Sequence, residues 1–383
     1  MKVKTYKLKN TSYGNQWIEK AKDRWEYADF INNIDWRENW ISFDCCVYHK
    51  ESKGLFLGVT SFDGDIFYKF DTDTKQFINM EYKKIGDRFD AKFHRSLVYN
   101  PNDGMLYGAV ALLHCVDRYF EAPGGAIIKA SPDGKVLEKL SIPMPHVYIQ
   151  GCDLDAKRSL LYLQFFTPEY IGEYDLNTGE FRLLGLAGSG ISGMAQGQNI
   201  LVDYEGNLWG GWCITRAWQD EPGVDANRIF LKKAGEKNIT FLDIGLECHD
   251  GNYGYNKADA FFDINEGYIY VSDVYGSLYR LSKKTYKTEF LFNPVPFGKS
   301  RFSTMIKASD GCVYAAVGKD EDSGIIRIDT EKKTFEKICS LKDEDGQICR
   351  QVHHMTEGKA GIIYCCENDN TKRSSYLWEI DLR

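Results

Sequence analysis

The chain has 383 residues, 43% apolar and 14% aromatic, with 48 basic against 55 acidic side chains and no basic block. That composition supplies a large core, and a net charge of −7 makes nucleic acid a poor partner. No stretch of uninterrupted apolar residues is long enough for a membrane span, so no membrane partner is expected.

The opening MKVKTYKLKN lacks the apolar centre of a signal peptide. Eleven cysteines, among them the neighbours Cys45-Cys46 and Cys365-Cys366, read as small buried hydrophobes in a reducing compartment. The cytoplasm is the expected location; removal of a leader would make the protein secreted instead. Residues 3–8 form an orphan strand. Residues 9–42 carry Trp17, Trp25, Trp36 and Trp40 and begin with a helical pattern over 15–27. They link the orphan strand to the first hairpin and so should lie over one face. They serve either as a packing plug or, through a residue such as Trp40, as a platform for a sugar ring.

From there the chain repeats itself. Second strands of successive hairpins close on Phe56, Tyr107, Tyr162, Trp209, Tyr270, Tyr314 and Tyr364, at spacings of 51, 55, 47, 61, 44 and 50 residues. Seven units near this period, each a run of short strands, predict an all-β, seven-bladed β-propeller forming one domain over residues 1–383. A generic β-sandwich has difficulty producing seven similar hairpins. Each unit continues into a third strand and a fourth, except the seventh, which ends at Leu382-Arg383. The N-terminal strand is therefore expected to complete the last blade and close the ring, leaving no open edge.

Propeller ligands usually bind on the rim where innermost strands begin. The entry segments there carry Trp40, His94-Arg95, Tyr148, Gln150, Tyr255, Lys257, Arg301 and His353-His354. Loops after second strands add His114, Arg118 and Arg216 on the same face. The sharpest case is the hairpin of residues 93–118. Its turn, Pro101-Asn102-Asp103-Gly104, lies at one end, so His94 and His114 share the other. Five of the seven histidines (94, 114, 249, 353 and 354) fall on this face. Arg95, Arg118, Arg216, Lys257 and Arg301 make it locally basic, which suits an anionic small ligand such as a carboxylate. Histidine can then act as general base or acid near neutral pH.

Other motifs carry less. Gly188-x-Gly190-x-x-Gly193 fits a dinucleotide fingerprint only in its letters, because no βαβ unit surrounds it. Cys248-His249-Asp250 has no CxxC or HxH companion to complete a metal site. No GxSxG, HExxH or P-loop occurs.

The His94–His114 hairpin resembles that of the seven-bladed propeller polysaccharide lyases of the ulvan-lyase kind and their relatives acting on rhamnose–glucuronate linkages. Those enzymes carry two rim histidines about twenty residues apart on one blade. The resemblance implies the propeller fold across most of the chain and β-elimination at a uronic acid. It assigns His94 and His114 to catalysis, with Tyr148 as the matching tyrosine. Gln164 stands sixteen residues on, where the family has arginine, and Arg216 would substitute from a later blade.

The expected function is thus a lyase acting on an anionic, uronate-containing oligosaccharide, with His94 or His114 as base and Tyr148 as acid. Trp40, Arg95, Arg118, Gln150, Arg216, Tyr255, Lys257, Arg301, His353 and His354 would bind substrate. No cofactor is required. A divalent metal held by His353-His354 is the alternative neutraliser of the carboxylate. A glycoside hydrolase on the same rim and a non-enzymatic sugar- or protein-binding propeller are the rival readings, which fold alone does not separate.

Overall fold

A computed structural model describes residues 1–12, 34–112, 121–166, 169–189, 199–214, 226–248, 254–295 and 302–383. A short helix, Ile34–Asn39, precedes the first long strand. The strands that follow are mostly antiparallel and build up-and-down meanders of four strands. The first meander is Ile41–His49, Gly54–Ser61, Phe67–Asp71 and Gln76–Asn79. The second is Leu97–Asn100, Met105–Ala109, Ile127–Ala130 and Leu137–Ser141. The third (Tyr148–Asp155 to Phe181–Ser189) and fourth (Leu201–Val202 to Thr240–Leu242) join into one sheet where Gly188 and Ser189 pair in parallel with Cys213 and Ile214. The fifth runs from Ala258–Phe262 to Thr288–Phe292 and the sixth from Phe302–Lys307 to Thr334–Ser340.

The seventh meander has three strands from the C-terminal end, Val352–Glu357, Ile362–Glu367 and Leu377–Asp381. Its fourth is the N-terminal strand Lys2–Tyr6, which pairs antiparallel with Leu377–Asp381 in the register Lys2 to Asp381 and Tyr6 to Leu377. The expected closure by the first strand is therefore present in the pairing itself. Innermost strands of successive meanders touch around the ring, the fourth touching the fifth through its second strand, and the seventh returns to the first.

Burial follows from this arrangement. Second strands are covered on both faces, so Gly54–Ser61 and Ile362–Glu367 are buried throughout. Outer strands such as Thr334–Ser340 are largely exposed. Each junction between neighbouring meanders holds its own apolar cluster, including the one between the seventh and the first. The repeating aromatics explain themselves here. Phe56 fills the junction to the second meander, Tyr107 to the third, and so on until Tyr364 fills the junction back to the first. Their polar ends are satisfied locally: the Tyr107 hydroxyl donates to Asp103 at 2.6 Å and that of Tyr314 to Asp310 at 2.9 Å. An acid four residues earlier thus lets a tyrosine be buried without an orphaned hydroxyl.

Candidate functional site at the mouth of the ring

Five of the innermost strands are interrupted near their start by a bulge. The ladder skips Asp44 in the first meander, Gln150 in the third, Asp259 in the fifth, Ser303 in the sixth and His353 in the seventh. All five are polar. A bulge leaves its extra residue outside the ladder, bends the strand and re-aims the side chain. Because innermost strands begin on one face, these residues gather at one mouth of the central channel. In the second meander the matching place is taken by His94-Arg95, which lie just before the strand Leu97–Asn100.

Backbone carbonyls released by the bulges hold the functional side chains. His94 donates from Nδ1 to the Gln150 carbonyl at 3.0 Å, and His353 donates from Nδ1 to the Asp44 carbonyl at 2.8 Å. A carbonyl can only accept, so both imidazoles carry a proton on Nδ1. Arg95 sends Nη2 to the His353 carbonyl at 2.7 Å, while its own main chain pairs with Gly151. The rings of His94 and His353 lie 4.5 Å apart at 64°. Burial, with the Arg95 guanidinium beside it, holds His353 well below the ordinary imidazole range, so the ring is neutral.

Behind this pair sits a layer of titratable side chains with no counterpart in the expectations above. Asp44 is buried, and its carboxyl accepts from Asn368 Nδ2 at 2.8 Å and from the Thr60 hydroxyl. Burial pushes it up to about 8, against the opposing pull of Lys92. Lys92 is also buried; desolvation lowers it, and Asp44 and Asp369 act against that.

His354 faces elsewhere. Its Nδ1 accepts from the Cys46 main-chain N–H at 3.3 Å and lies 3.4 Å from the Cys46 thiol. Burial would raise that thiol, but the neighbouring Cys366 thiol and His354 imidazole outweigh it and hold it below the ordinary thiol range. A channel cavity of about 320 Å³ lies here, lined by Arg95, Asp153, Ser303 and His354 among others. Consecutive histidines thus serve opposite sides of one strand, and the expected His353-His354 ligand pair does not converge. Among the described residues no group of three or more His, Cys, Asp or Glu side chains is placed to hold a metal ion.

Of the residues singled out from sequence, the fold brings together His94, Arg95, Gln150 and His353. Tyr148 is buried in an apolar cluster with Phe89, Leu112 and Ala122. Trp40 is fully buried, and its indole N–H donates to the Asn370 carbonyl at 3.0 Å. Tyr255 lies under the Arg228 guanidinium, 4.7 Å from its ring centre, and Lys257 is half-buried in the same stretch. His114, Arg118, Arg216 and Arg301 lie outside the described residues, and the His94–His114 pairing with them. Asp44, Lys92, Asp259 and Ser303 were missed. For Asp44, Asp259 and Ser303 the signal existed as a polar residue interrupting an apolar strand start, as in ISFDCC, ADAFF and FSTMI.

No family model matches the chain, and no curated protein matches it. Among solved structures it is similar to the WD40 repeats of RRP9, at 10% identity and a TM-score of 0.59 over 91% of this chain and 96% of that one. It is similar also to YCF48 from Cyanidioschyzon merolae, at 11% identity and a TM-score of 0.55 over 88% and 95%. A third similar structure is the Niastella koreensis GH74 enzyme, at 11% identity and a TM-score of 0.61 over 88% of this chain and 54% of that one. The fold is a β-propeller. Identities this low establish the fold alone.

Proposed function

We propose that the seven meanders are the blades of one propeller whose mouth binds an anionic oligosaccharide and cleaves it by β-elimination at a uronate. The observation that carries this reading is the His94–His353 pair, with both rings locked in the Nδ1–H form and Arg95 alongside. A neutral imidazole with its lone pair on Nε2 is the form a general base requires. In the reaction the base takes the proton from C5, and the C5–H electron pair forms the C4–C5 double bond. The C4–O bond breaks, and the departing oxygen takes a proton from water. Removing so weakly acidic a proton needs the adjacent carboxylate neutralised, and Arg95 and Lys92 place two cations beneath the mouth.

The test is incubation with uronate-containing oligosaccharides, read as ultraviolet absorbance of an unsaturated product. Growth of that absorbance with time supports the lyase; cleavage giving a saturated new end identifies a hydrolase and sinks it. A second reading, a non-enzymatic binding propeller, is favoured by one observation: His94, Asp44, Lys92 and His353 are all buried. Under it, none of these sugars is cleaved, and substitution of the histidines changes stability alone.

A further inference from the structure

Among the described residues two lysines are buried, Lys92 and Lys232. Lys232 donates to the Tyr162 hydroxyl at 2.9 Å and pairs with Glu173 at 3.1 Å. Lys92 is only 5% exposed, yet among the described residues its Nζ makes neither a hydrogen bond nor an ion pair. Nζ also keeps a little accessible surface of its own. A buried amine without a partner is costly in its charged form, and such groups gather at functional sites.

Its place follows from pairing. Lys92 bridges Thr60 and Ala111, which lie at or just past the ends of second strands in the first and second meanders. It therefore sits on the seam between the two, on the face where innermost strands begin. Residues opposite each other in an antiparallel bridge share a face, so Lys92 runs beside Thr60. The Thr60 hydroxyl donates to Asp44, which puts the amine and that carboxyl on one side of the seam. Asp44 and Asp369 act on the amine without forming an ion pair with it, so Nζ and the Asp44 carboxyl are separated by more than a direct contact. Burial disfavours the charged form of each, lowering Lys92 and raising Asp44 to about 8. Protonated, Lys92 is one of the cations beneath the mouth. Deprotonated, it is a desolvated amine nucleophile, the kind that forms Schiff bases with carbonyl compounds.

We propose that Lys92 captures a small aldehyde, such as the open-chain end of a short sugar, as an imine, with Asp44 as the acid. The Nζ lone pair attacks the carbonyl carbon, the C–N bond forms, and the carbonyl oxygen takes a proton from Nζ. Asp44 then gives its proton to that hydroxyl. The C–O bond breaks, water leaves, and the nitrogen lone pair closes the C=N bond. The protonated imine is left facing the Asp44 carboxylate. This chemistry is independent of the lyase reading, in which Lys92 acts only as a cation. The test is reductive trapping on the intact protein with glycolaldehyde and sodium cyanoborohydride at neutral pH, each lysine being followed by peptide mass spectrometry. Lys92 should be alkylated faster than the exposed Lys50 and Lys284, by roughly tenfold for each unit its pKa is lowered. Asp44→Asn, its fold checked by a melting curve, should slow trapping at Lys92 and leave Lys50 as it was. Trapping at Lys92 no faster than at Lys50 overturns the proposal, as does trapping there only after urea unfolds the chain. A folded Asp44→Asn variant that traps at Lys92 as fast as the wild type overturns it too.

Discussion

The ring of His94 stands 4.5 Å from that of His353, although the two residues come from the second and seventh meanders, with the first between them. The innermost strand of the first meander packs against those of both the seventh and the second, and this brings them together. The bulge carbonyls of Gln150 and Asp44 then hold the Nδ1–H of each ring, so the pair is built by backbone irregularity rather than by the side chains alone.

If this pair removes the C5 proton, His94→Ala and His353→Ala should each lower turnover by roughly a hundredfold or more, the scale for losing a general base. Acting as a unit, they should not add: the double variant should lose little beyond the worse single one. Initial rates of ultraviolet-absorbing product decide this. Full activity in either single variant removes that histidine from the mechanism.

The repeat was legible because its cause is local and recurs. Each of the seven closing aromatics fills one junction between meanders, which keeps their spacing near the size of one unit. Closure by the N-terminal strand was legible too, since residues 3–8 lacked a partner and the last unit lacked a strand. The site was legible only in part. His94, Arg95, Gln150 and His353 could be assigned to one rim by counting strands. Their actual partners could not, because Arg95 reaches the His353 carbonyl across 258 positions of sequence. Asp44 stayed hidden for a related reason. A charged residue inside an apolar run reads as a break in the pattern unless the bulge that reorients it is known.

Deleting residues 1–8 should expose the strand Leu377–Asp381 along its whole ladder with Lys2–Tyr6. It also removes the Tyr6 hydroxyl from Glu379 and the Thr5 hydroxyl from Asp343, bonds of 3.2 and 2.7 Å. Open edges template association, so the truncated chain should melt earlier and form oligomers on size exclusion. An unchanged melting temperature in a monomeric truncated chain counts against the closure.

Glu367 anchors the seventh meander. It is fully buried, bonded to Arg373 through both carboxylate oxygens at 2.7 and 3.0 Å, and accepts from the main-chain N–H groups of Arg350 and Tyr376. Glu367→Gln leaves the Arg373 guanidinium buried without its counter-charge, which should cost about 3–5 kcal/mol. Urea unfolding measures it; a loss under about 1 kcal/mol means that the carboxylate charge is not what holds this corner.

Acid and base should act on the mouth with opposite signs. Below pH 6.5 the unfolded chain binds a proton at residue 353 that the buried imidazole refuses, so this residue removes stability as pH falls. Asp44 does the reverse. Between its ordinary value of 3.8 and about 8, the folded carboxyl keeps a proton that the unfolded chain has lost. Stability from Asp44 is therefore complete at low pH and declines as pH rises through that window. The His353 contribution is common to wild type and Asp44→Asn, so Asp44 can be read by difference between pH 6.5 and 8. Relative to Asp44→Asn, the wild type should lose up to about 1.4 kcal/mol per pH unit there. Relative to His353→Gln, it should lose stability only below pH 6.5. Urea midpoints across pH 5 to 8 for the three proteins decide both; parallel curves for wild type and Asp44→Asn mean that the carboxyl is ionised in the fold, and the layer behind the histidines must then be redrawn as an ion pair with Lys92.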